Sequence, residues 1–175
     1  MAYRRSTIPK IQPLADALGK SVDERFEDLL HAYAKDCLKG FREAIRQQQF
    51  TSFVEVPLSP SYAHFKEAVG LDERTMIATG TYVRNLRVWR GVNAEKGIEF
   101  HVGFREGAMA VDRDGEETDF PLWKLALVQE FGSLNGNVPP RPHWMPYFRR
   151  LRRAMPQVAK SMIDTIMEDV RRSAP

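Results

Sequence analysis

The 175-residue chain holds one cysteine, Cys37, so no disulfide can close within it. A lone thiol suits synthesis in reducing cytoplasm, and a chain of this length can bury a core without covalent or metal staples. No apolar run approaches the roughly 18 residues that would suggest a membrane span. The early arginines of MAYRRSTIPKIQPLADALG have no apolar segment behind them, so no secretory leader is expected. The four histidines, His31, His64, His101 and His143, are scattered singly, and neither HExxH nor CxxC spacing occurs. That argues against a zinc site. GSLNGN lacks the lysine and hydroxyl residue of a phosphate loop, and DRDGEETD has too few acids at calcium-loop spacing and reads as a hairpin turn. No nucleophile elbow occurs. These absences point away from an enzyme, and no catalytic, cofactor-binding or metal-binding residue is assigned.

What is present describes an ordinary globular chain, 43% hydrophobic and 28% charged. The net charge is only +3, yet it is unevenly placed. Residues 141–175 carry eight basic and three acidic side chains, a balance of +5 that leaves −2 on residues 1–140. A chain polarised in this way is expected to meet an acidic partner at its basic end. That partner is another protein, a copy of the chain itself, or nucleic acid.

Residues 1–20 read as an arm and 21–175 as one domain. Ser21 with Glu24 three residues later has capping-box spacing. Val22, Phe26, Leu29, Leu30, Tyr33, Cys37, Leu38, Phe41 and Ile45 then recur at helical spacing and form one stripe, predicting a helix to about Gln49. A short helix is expected over 59–69, with Pro60 in its first position and Gly70 at its end. Thr79-Gly80 reads as a turn, and 81–111 as strands: Tyr82, Leu86 and Val88 share a parity, and Ile98, Phe100, Val102 and Phe104 alternate with polar or small residues. NAEKG is the connection between them, AMAV (108–111) a third strand, and 112–119 a polar turn. FPLWKLALVQEFG predicts a helix from Pro121 to Gly132, and Trp144, Phe148, Leu151, Met155, Val158, Met162, Ile166 and Val170 predict a long final helix, kinked or broken at Pro156. The fold class expected is α+β: a small, mostly antiparallel sheet packed by an N-terminal helix and a long C-terminal helix.

The unusual stretch is VQEFGSLNGNVPPRPHWMPYFRR, residues 128–150. Its prolines make a stiff connector that can hold Arg141 at a set angle before the last helix. Arg149, Arg150, Arg152 and Arg153 flank Leu151 on that helix. They read either as a solvated face with snorkelling stems or as a contact with acid on a neighbour or with phosphate.

Glu130, Phe131, Gly132, Asn135, Gly136, Val138, Pro139, Arg141, Pro142 and Trp144 resemble a signature of the virion-morphogenesis and tail-completion proteins of tailed bacteriophages: EFG, an Asn/Gly loop, Pro-x-Arg-Pro and an aromatic residue ahead of a C-terminal helix. Pro60, Lys66, Ile77, Thr79, Gly80, Tyr82 and Leu86 match a second element of the same family, in order. The resemblance spans roughly residues 20–170; Trp144 and Asn85 depart from the usual residues. It implies a small α+β domain and a structural virion protein at the head–tail joint, made in the bacterial host cytoplasm and acting in tail completion, tail termination or head–tail joining as part of a ring. Its partners would be copies of itself and other neck or tail proteins, with packaged DNA near, and neither membrane nor small-molecule substrate. The candidate contact residues are Glu130, Phe131, Arg141, Arg149, Arg150, Arg152 and Arg153. The alternative is a free DNA-binding protein that uses the basic C-terminal helix.

Overall fold

In the computed structural model the described residues are 11–77, 79–91, 98–112 and 114–173, with side chains described within 22–172. The order of elements is α1 (Ile11–Arg46), α2 (Thr51–Glu55), α3 (Pro60–Ala68), α4 (Thr81–Asn85), β1 (Arg87–Arg90), β2 (Phe100–Gly103), β3 (Met109–Val111), β4 (Glu117–Pro121), α5 (Leu122–Phe131) and α6 (Trp144–Ser173). This is the expected α+β class. The strands form two separate antiparallel pairs, β1 with β2 and β3 with β4, rather than one sheet. Arg87 lies opposite Gly103 and Arg90 opposite Phe100; β3 and β4 pair Met109 with Pro121 and Val111 with Glu117 around a bulge. NAEKG lies outside the described residues.

The chain divides into two compact units. One takes α1 as far as Ala32 and α6 from Pro156, and the other is Tyr33–Met155. In the first, Met162 and Ile166 are buried and Arg25 Nε donates to Asp169 Oδ2 at 3.0 Å.

The second unit is organised around Phe41, which is fully buried. Its ring centroid lies 4.6 Å from that of Trp144, 4.9 Å from Tyr147 and 5.6 Å from Phe148, all on the first turns of α6. The Tyr147 hydroxyl donates to the Cys37 carbonyl at 2.9 Å, and it can approach because residue 40 is glycine. A Cβ there would stand 2.5 Å from the Tyr147 oxygen. Cys37 itself is buried on the same stripe, as a small core hydrophobe.

Local signals explain several boundaries. Ser59 caps α3 by accepting from the Tyr62 N–H, Pro60 opens it, and Gly70 follows it at φ 69°. Pro121 is the N-cap of α5 and Gly132, at φ 84°, its C-cap. A Cβ on Gly132 would also meet the Val138 carbonyl at 3.0 Å, so the loop closes tightly behind it.

Five expectations are corrected. α1 begins at Ile11, so Ser21 lies inside the helix and 11–20 continue it. Pro13 falls in the first turn, where no backbone donor is needed. α1 then ends at Arg46, short of Gln49; Gln48 takes a φ of 53° and its Oε1 accepts from the Thr75 N–H at 2.9 Å. Residues 81–85 form one helical turn rather than a strand: Gly80 is left-handed at φ 72°, and Thr81, Tyr82 and Val83 are buried in succession, which alternation across a strand does not allow. Residues 117–119 belong to β4, not to a turn. Finally, of the kink or break expected at Pro156 the break does not occur: α6 continues through the proline, whose ring removes a single helical hydrogen bond.

Candidate interaction surface and the scaffold beneath it

The residues of the PPRPHW stretch converge inside the second unit. Glu130, at the end of α5, is buried, and its carboxylate faces the start of α6. Oε2 accepts from the backbone N–H groups of His143 at 2.8 Å and Trp144 at 3.0 Å, and Oε1 from that of Met145 at 3.0 Å. These N–H groups have no partner within the helix, and a negative charge there also suits the helix dipole. Glu130 thus caps α6 from a neighbouring helix.

Arg141 is buried too. Its Nε donates to the Val56 carbonyl at 2.7 Å and its Nη2 to the Pro57 carbonyl at 2.8 Å. Its backbone N–H donates to the Gln129 carbonyl at 2.5 Å. The Ser52 hydroxyl donates to the Pro142 carbonyl at 2.7 Å. The proline connector is therefore clamped between α5 on one side and α2 with its following turn on the other. Burial lowers the Arg141 guanidinium below its ordinary value. Among the described residues the charge is met by these carbonyl oxygens through hydrogen bonds rather than by an ion pair.

His143 is fully buried and links this clamp to the core. Its Nδ1 lies 2.9 Å from the Arg141 carbonyl, which can only accept, so Nδ1 carries the proton. Nε2 is then the acceptor from the Tyr82 hydroxyl at 2.7 Å, and the Tyr82 oxygen accepts from Trp144 Nε1–H at 2.7 Å. The donors run in one direction, from Trp144 to Tyr82 to His143 to the Arg141 carbonyl. Burial lowers the imidazole and raises the Tyr82 phenol, so both are neutral in this chain of bonds.

Phe131 and the arginines lie outside. Phe131 is 68% exposed, and Arg149, Arg150, Arg152 and Arg153 are all on the surface of α6. Arg150 stacks over the Tyr147 ring at 5.3 Å. The seven candidate contact residues therefore separate into two kinds. Glu130 and Arg141 are turned inward and act on a neighbour only through the backbone they fix; Phe131 and the four arginines are free to touch one. Sequence reasoning missed Tyr82, His143 and Trp144 as a connected group. Their partners are 61 and 62 residues apart, so no local spacing marks them.

A shallow cavity of about 170 Å³ lies beside α4, lined by Tyr62, Lys66, Thr79, Gly80 and Gln129 among others. Lys66 is buried and donates to the Arg74 carbonyl at 2.9 Å, and burial lowers its ammonium. Gln129 Oε1 is buried with no hydrogen-bond partner among the described residues. Also among the described residues, no three His, Cys, Asp or Glu side chains gather as a metal site, and no helix is long and apolar enough to cross a membrane. Comparison of the chain with protein-family models, with curated proteins and with solved structures finds no match.

Proposed function

We propose that this chain is a structural virion protein of a tailed phage, built into the joint between head and tail as one copy of an oligomeric ring, and that it is not an enzyme. The observation that carries the reading is the use made of the EFG…PPRPHW residues. Their polar groups are spent inside the chain, on capping and clamping α6, while the same segment leaves Phe131 and four arginines on the outside. Such an arrangement holds a surface rigidly and offers no reactive group. It agrees with the family that the motifs resemble, and a ring of identical copies is the assembly that such fixed, non-equivalent surfaces serve.

The test is a nonsense allele of the gene in the phage that encodes it. Under non-suppressing conditions the reading predicts lysates in which electron microscopy finds filled heads and tails unjoined. Intact infectious particles from that allele contradict it. The four arginines also favour a second reading, duplex DNA binding by α6. That reading predicts retention of free DNA that falls steeply as salt rises.

A further inference from the structure

We propose that the outer face of α5, with the acidic segment leading into it, is the seat for the arginine-bearing face of α6 from a second copy of this chain. This rests on the structural-protein reading above and names the partner of its exposed surface.

The first observation is that α5 carries apolar residues on two opposite sides, with Lys124, Gln129 and Glu130 as its polar residues. Leu122 is buried, and Leu125 and Ala126 pack on the core. The opposite side is apolar as well: Trp123 and Leu127 are each 49% exposed and Phe131 68%. These three are spaced by four, so they form one stripe. Phe120 before the helix and Leu134 after it are also exposed. A helix with apolar residues on both its inner and its outer side has a second face for burial, and a contiguous exposed apolar stripe marks a contact surface.

The second observation is charge. Residues 112–119 hold five acidic residues and one basic one, and β4 carries that segment straight into α5. Glu116, Glu117 and Asp119 are exposed. The basic group on α5 itself, Lys124, stands over the Trp123 ring at 5.5 Å. An acid-bordered apolar face repels nucleic acid and calls for a partner that is apolar and basic together.

The chain carries that partner surface. On α6, Met145, Arg149, Arg152 and Met155 succeed one another at steps of four, three and three, and all are exposed. Residues 149–153 contain four arginines and no acid. Among the described residues Arg149, Arg152 and Arg153 make no ion pair. The two faces use different residues, so each copy offers one of each. The contact is head-to-tail and propagates from copy to copy, which gives a ring where the rotation closes.

The test measures particle mass, by sedimentation velocity and mass photometry, for four forms of the full chain. Wild type is expected as a large particle. Leu127→Asp/Phe131→Ser and Arg149→Glu/Arg152→Glu are each expected as monomers, because each has lost one of the two faces. Mixed in equal amounts, the two variants keep one intact face each and are expected to form a dimer and nothing larger. Adding Glu116→Lys/Glu117→Lys to the arginine variant is expected to restore the large particle. Circular dichroism melts confirm folding; should Leu127→Asp unfold, Leu127→Gln replaces it. A monomeric wild type, a variant that keeps the wild-type mass, or a mixture that stays monomeric overturns the proposal. So does an arginine variant that loses duplex-DNA retention while keeping its mass, since the α6 face then serves nucleic acid. A failed interface with the chain still present in virions leaves the proposed function standing; a chain absent from virions removes that reading whatever the particle mass.

Discussion

The Tyr82 hydroxyl lies 2.7 Å from His143 Nε2, joining the turn after Gly80 to the segment that launches α6. The same oxygen accepts from Trp144, so one buried hydroxyl serves two partners. Tyr82→Phe removes it and strands the Trp144 N–H and His143 Nε2. The expected loss is about 1–3 kcal/mol, the usual cost of an unsatisfied buried polar group. Urea unfolding measures it. In a double-mutant cycle with His143→Leu the two changes are expected to be strongly non-additive.

Glu130 holds the start of α6 without being part of it. Glu130→Ala leaves three N–H groups at the start of α6 without their acceptor, that of His143 buried, and the loss expected is about 2–4 kcal/mol, above that of an ordinary N-cap because one buried carboxylate serves all three. Hydrogen exchange reads the same change locally. The amides of His143, Trp144 and Met145 are expected to lose protection before those of α1.

His143 makes stability depend on pH. Its folded value is lowered by burial, with the Glu130 carboxylate 3.6 Å away opposing that shift and the Tyr82 hydroxyl and Arg141 carbonyl occupying the ring nitrogens. The unfolded chain therefore binds this proton more readily. Its contribution to stability is complete above the unfolded value of about 6.5 and is lost as pH falls toward the folded value. Chemical denaturation from pH 7.5 downward is expected to show a decline that is reduced in His143→Leu, relative to that variant's own stability at pH 7.5.

Gly40 tests the contact between α1 and α6 within the second unit. Alanine is the better helix former by about 1 kcal/mol, yet its Cβ would stand 2.5 Å from the Tyr147 oxygen. Gly40→Ala is expected to destabilise by about 1–3 kcal/mol, as overpacking does. In the Tyr147→Phe background the same alanine is expected to be neutral or stabilising, which thermal melts of the four proteins check.

Much of the fold is legible in the sequence where a local signal fixes it. Ser59, Pro60 and Gly70 bound α3, Pro121 and Gly132 bound α5, and the three-and-four spacing from Trp144 onward gives α6. The failures occur where a signal is ambiguous or the cause is remote. Tyr82, Leu86 and Val88 share a parity, but neighbours on both sides of Tyr82 are buried, and only the left-handed Gly80 begins a helical turn there. Ser21 has a cap's spacing inside a helix that had already begun. Glu130 caps residues 13 to 15 positions away, and His143 looks like one more isolated histidine until Tyr82 is brought to it from 61 positions away. The exposed face of α5 has the opposite difficulty: with apolar residues on two opposite sides of the helix, the sequence does not distinguish the side that meets the core from the side left open.

The central claim is that the chain occupies the joint between head and tail. The direct measurement is gold labelling of an epitope-tagged copy in purified intact virions, viewed by electron microscopy. The account predicts label confined to the neck. Label absent from the particles, or spread along the tail or over the head, contradicts it.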